Sequence, residues 1–81
     1  MEKKDSILSA LFMKVRRHPE PHDHPTASHE IAKEVNLPLG HVLSLSNELA
    51  EEGLLAISHI NEPPLLYLTK SGVARARRQS I

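Results

Sequence analysis

Apolar residues recur along this chain with two different periods, and the changes of period mark out its elements. Ile7, Leu8, Leu11, Phe12 and Val15 fall at helical spacing. They predict a helix capped by Asp5 or Ser6 that closes on Lys14, Arg16 and Arg17 ahead of Pro19. Ile31, Ala32 and Val35 mark one face of a short second helix, with Thr26 or Ser28 as its cap. Val42, Leu45 and Leu49 mark one face of a third, over about 38–52. These two meet at Asn36, Leu37 and Pro38. Asn tolerates the left-handed backbone of a tight turn, and Pro suits a first helical turn because its missing amide hydrogen would be unpaired there. Gly53 ends the third helix. Leu54 to Ile60 and Leu65 to Thr69 then read as strands of a hairpin over 54–69, joined through Asn61, Glu62, Pro63 and Pro64. Thr69 or Ser71 can cap a last helix carrying Val73, Ala74, Arg75, Arg77 and Arg78. The expected architecture is mainly α with a small β-hairpin and a three-helical bundle core, as a single domain over 1–81.

Composition narrows the functions this architecture can serve. The 81 residues contain no cysteine, which excludes a disulfide frame, thiolate zinc sites and a cysteine nucleophile. There is no glycine-rich phosphate loop and no recognisable pairing of carboxylates with a histidine, so the chain is not expected to be an enzyme. No run approaches the length of a membrane span, and the start from Met1 to Asp5 lacks an apolar core, so a soluble cytoplasmic protein without a membrane partner is expected. His18, His22 and His24 cluster around Asp23 in a proline-rich stretch that cannot be helical. An H-x-H pair beside a carboxylate can bind zinc or nickel. No pair on a helix at i, i+4 supports it, and the expectation is a solvated loop with no metal and no cofactor. Acidification toward pH 6 charges histidines and should strengthen any binding of a polyanion.

The order of helix, helix, turn, helix, hairpin and helix resembles the winged helix-turn-helix family, and is similar to transcriptional regulators of the MarR and PadR kinds. The match is carried by Glu30-Ile31-Ala32, the turn Asn36-Leu37-Pro38, and Val42 and Leu49 ahead of Glu51-Glu52-Gly53-Leu54. Pro63-Pro64 leading into Tyr67-Leu68-Thr69, with Gly72 following, completes it over roughly Ser28 to Ala76. The resemblance implies a DNA-binding regulator, double-stranded DNA as partner, a homodimer, and the third helix lying in the major groove. Residues placed by it at the DNA are Ser28, Lys33, Gly40, His41, Leu43, Ser44 and Asn47. Asn47 can pair with adenine, Ser44 with either base, His41 with a phosphate or guanine edge, and Leu43 with a thymine methyl. Lys33 on the second helix, Lys14, Arg16 and Arg17 on the first, and the C-terminal arginines are the candidates for contacts with the backbone. Ser46 occupies a position where such regulators usually bury a Leu, so the third helix is expected to turn slightly and use Leu45.

Charge complicates that picture. Ten basic and ten acidic side chains balance to zero, so the molecule as a whole does not draw in polyanions. From Glu34 through Thr69 there is no Lys or Arg and there are five Glu. The alternative is therefore a protein–protein interaction module, docking through Leu39 and Leu43 with Glu48 and Glu51 at the rim.

Overall fold

The computed structural model describes residues 3–19, 22, 24–60 and 62–79. Its elements are α1 (Lys3–Val15), β1 (Thr26–Ala27), α2 (Ser28–Val35), α3 (Leu39–Glu51), β2 (Leu55–Ser58), β3 (Leu65–Leu68) and α4 (Lys70–Gln79). The helix-forming residues of α1 all turn inward: Ile7, Leu8, Leu11, Phe12 and Val15 are buried. They meet Ile31 of α2 and Val42 and Leu49 of α3, so that α1, α2 and α3 pack on one another as a three-helical bundle. Leu66 and Leu68 close this core from the sheet, and Val73 and Ala76 from α4.

The fold is a winged helix-turn-helix: mainly helical, with a small antiparallel sheet. The sheet has one strand more than the hairpin predicted, in the order β1-β3-β2. Thr26 pairs with Leu66 and Ala27 with Leu65, while Leu55 to Ser58 run against Leu68 to Leu65 on the other side. The Ser28 amide donates to the Pro64 carbonyl at 3.0 Å, continuing this tie into the start of α2. Pairing with β3 thereby removes Thr26 from the capping role expected of it. Ala27 holds the cap position of α2 without any side-chain hydrogen bond, and Ser28 is already helical.

Other boundaries move for equally local reasons. Asp5 and Ser6 lie inside α1, which runs from Lys3. The Asp5 carboxylate accepts a hydrogen bond from the Gln79 side-chain amide at 2.7 Å, closing the start of α1 onto the end of α4. Ser71 is likewise inside α4, and Thr69 alone caps that helix, accepting from the Gly72 amide at 3.0 Å. Asn61, expected in the hairpin turn, lies outside the described residues.

The two turns that fix α3 are built as the sequence predicts. Asn36 adopts φ 57°, and the Leu37 and Asn36 amides return to the carbonyls of Ala32 and Lys33. Gly53 adopts φ 78°, and the Leu54 and Gly53 amides return to Leu49 and Ala50 in the same manner. Each turn satisfies carbonyls that a helix end would otherwise leave unpaired. Between them the two turns set where α3 begins and ends. Ser46 is fully buried in that helix, so α3 does not turn away from it, and Leu45 packs at the margin of the core as a second, partly buried contact.

Candidate functional site

At about 100° per residue along a helix, Gly40, Ser44, Asn47 and Glu51 share one stripe of α3. All four are exposed, and the stripe lies opposite the buried Val42, Ser46 and Leu49. His41 and Glu48, both exposed, flank it on one side. Leu39 and Leu43 flank it on the other and are half-buried. The leucines expected to project freely thus sit on the shoulder of α3, while the small and polar groups form its crest.

The first turn of α3 has no acidic residue, and Pro38 at its cap supplies no side-chain hydrogen bond. The positive end of the helix dipole is therefore not neutralised locally. Gly40 has no role in holding the fold, because a Cβ there would find nothing within 4 Å. Its effect is to remove bulk from the crest at the end of α3 nearest the turn.

Acidic groups gather at the opposite end of α3, and α1 partly answers them. Lys4 contacts Glu52 at 2.8 Å and Glu48 at 3.7 Å. The sequence offers no signal for this pairing, since the partners lie more than forty residues apart and meet only because α1 crosses α3. Glu51, on the crest, has no ion pair among the described residues. Lys14 is taken up by Glu34 at 3.7 Å, whereas Lys33 is exposed on α2 with no ion pair among the described residues.

The residues expected at a nucleic acid are thus only partly gathered. Gly40, His41, Ser44 and Asn47 form one exposed surface, with Leu43 at its edge and Lys33 on the neighbouring helix. Ser28 leaves the set. It is fully buried, its hydroxyl has no partner among the described residues, and its amide is spent on Pro64, so it presents nothing to a ligand. At the hairpin Ile60 is 94% exposed, beside exposed His59 and Glu62.

Among the described residues no group of three or more His, Asp or Glu is gathered around one point. His18 and His24 stack with ring centroids 3.7 Å apart and planes inclined by 24°, while Asp23 lies outside the described residues. Stacked rings direct their nitrogens along nearly parallel planes, away from a shared point. His22 instead lines an open groove of about 300 Å³ together with Pro19, Lys70, Val73, Ala74 and Arg77. No described helix is long and apolar enough to cross a membrane.

No protein-family model and no curated protein matches the chain. Among solved structures it is similar to the crystal structure of a candidate DNA-binding protein from Ralstonia eutropha JMP134. The two chains are 19% identical with a TM-score of 0.75, over 98% of this chain and 96% of that one. At that identity the likeness establishes the fold, and it extends over nearly the whole of both chains. The class is a small winged helix-turn-helix domain whose second turn helix carries a glycine, serine and asparagine crest.

Proposed function

We propose that this protein is a DNA-binding transcriptional regulator of the winged helix-turn-helix kind, related in manner to the MarR and PadR regulators and acting in the cytoplasm as a homodimer. The observation that carries the reading is the crest of α3. Gly40, Ser44 and Asn47 are exposed in one line that starts at the acid-free end of α3, and Gly40 has no packing reason to be glycine. A recognition helix enters the major groove by its N-terminal residues, where bulk is penalised and short polar side chains reach base edges. Asn47 and Ser44 read bases, His41 reaches a phosphate or a guanine edge, Leu43 touches a thymine methyl, and Lys33 meets the backbone from α2. The Ralstonia protein, itself named for DNA binding, supports the same assignment.

A second reading rests on the absence of any Lys or Arg from Glu34 through Thr69 and on the bare Ile60 at the hairpin. In that reading the α3 shoulder of Leu39 and Leu43 docks on another protein. The two separate cleanly in solution. Fluorescence anisotropy of a mixed pool of labelled duplexes should show saturable binding that weakens as salt rises. Absence of binding at low salt, with Leu43→Asp abolishing association with a protein, would transfer the assignment to the second reading.

A further inference from the structure

The cations of this chain are not spread evenly, and the crest of α3 has few of them within reach. Residues 70–79 of α4 hold Lys70, Arg75, Arg77 and Arg78, all exposed, and no acidic residue. Lys70 and Arg77 stand seven positions apart on the same face of α4, separated by about 10 Å along its axis. Between them Val73 and Ala74 form an apolar floor, and Pro19 and His22 from the loop after α1 supply the facing wall. Among the described residues no carboxylate lines this groove, and neither Lys70 nor Arg77 makes an ion pair. Arg16, Arg17 and His18 run directly into Pro19 and are exposed, so the basic surface continues beyond the groove along the end of α1.

We infer that the groove between α4 and the side chains of Pro19 and His22 is a second docking surface for the phosphate backbone of duplex DNA, separate from the crest of α3. The inference rests on the DNA-binding reading above. Charge complementarity identifies the occupant: among the described residues Lys70 and Arg77 face no carboxylate, Glu20 and Asp23 of the loop lying outside them, and sequence-independent affinity for DNA comes from such cations. The groove is open to solvent, and its apolar floor accommodates sugar carbons between phosphate contacts. Packing separates it from the crest. The principal contacts of α4 are with α1 and β3, whereas α3 packs on α1, α2 and β2. A duplex seated on the crest therefore leaves the groove available for another stretch of backbone.

The test is a titration of the isotopically labelled full chain with duplex DNA, following backbone amide resonances, paired with affinity measurements on Lys70→Gln/Arg77→Gln. Both side chains are exposed, so the double variant keeps the fold, which its circular dichroism checks. Shifts at residues 70–78 as well as 39–47, with the variant binding at least tenfold more weakly and its salt slope falling by about 1.8, are expected. Shifts confined to 39–47, with affinity and slope of the variant unchanged, overturn this inference and leave the DNA-binding reading standing. Shifts at 70–78 alone uphold the groove and remove α3 from the contact. No shift anywhere at low salt overturns both.

Discussion

The hydroxyl of Thr69 donates to the Gly53 carbonyl at 2.6 Å while its oxygen accepts from the Gly72 amide at 3.0 Å. One side chain thus ties the exit of α3 to the entry of α4 and anchors the end of β3 between them. A β-branched replacement without the hydroxyl keeps the strand geometry but removes both bonds. Thr69→Val should lower stability by about 2 kcal/mol, whereas Thr69→Ser should recover most of it. Urea denaturation midpoints of the two variants decide the matter; equal midpoints would mean the hydroxyl contributes nothing net.

Gly72 shows how closely α4 approaches the exit of α3. A Cβ on Gly72 would fall on the Leu54 carbonyl oxygen, far inside contact distance, with the Leu68 side chain only 3.2 Å away. That carbonyl cannot withdraw freely, because it also accepts from the Thr69 amide at 3.2 Å. Gly72→Ala is therefore expected to destabilise by about 3 kcal/mol, against the usual gain of alanine over glycine within a helix. Thermal melting compared with Ala74→Gly, an exposed position on the same helix, separates the steric cost from helix propensity.

The fold was legible because its signals are local. Helical periodicity, Asn36 and Gly53 in left-handed turns, and Thr69 at a cap each follow from residue type and near neighbours. What could not be read depends on partners distant in the chain. β1 is two residues long and exists only because β3 is there to pair with it. Asp5 reads as a helix cap until Gln79 arrives to take its carboxylate, and Lys4 meets Glu48 and Glu52 only across packed helices. The crest of α3 was legible in outline, since Gly40, Ser44 and Asn47 follow from the helical period once Val42 and Leu49 are assigned inward. Ser28 was misplaced because its serine chemistry suits both an exposed cap and a buried contact, and pairing of Thr26 and Ala27 with β3 decided for burial.

Ser46 sits fully buried in α3 with no hydrogen-bond partner for its hydroxyl among the described residues. Burial without a partner costs free energy that a methyl group would not, and alanine has the better helix propensity. Ser46→Ala should raise stability by about 1 kcal/mol, read as a higher urea midpoint at unchanged slope. A loss of similar size would show that the hydroxyl is bonded, as serine in a helix bonds the carbonyl one turn back.

Glu51 lies on the same stripe as Ser44 and Asn47, one turn beyond Asn47 and two beyond Ser44, and Lys4 answers Glu48 and Glu52 but not Glu51. On a duplex read by α3 this carboxylate approaches the phosphates as the helix rises out of the groove, and like charges there oppose binding. Glu51→Gln should bind duplex DNA about threefold more tightly at low salt and converge on the parent as salt screens the interaction. Lys4→Ala, which leaves Glu48 and Glu52 uncompensated, should shift affinity the opposite way while changing stability by less than about 1 kcal/mol. If both variants bind as the parent does, the last turn of α3 lies away from DNA.

Gly40 offers the sharpest separation of fold from function. Nothing stands within 4 Å of the place where its Cβ would be, and its backbone is helical, so alanine fits without displacement. In a helix that exchange stabilises by about 0.5–1 kcal/mol, and the variant should melt higher than the parent. On the crest of a recognition helix the same methyl group enters the space between backbone and duplex, so Gly40→Ala should weaken DNA binding several-fold while stability rises. Gains in both would mean that nothing approaches α3 closely at this turn, and the crest would cease to be a recognition surface. Asn47→Ala serves as the companion measurement. It removes a base-reading group without adding bulk, and should relax sequence preference by about 1–3 kcal/mol at one base pair while leaving the salt slope unchanged. Lys33→Ala should do the reverse, weakening all duplexes alike and flattening that slope.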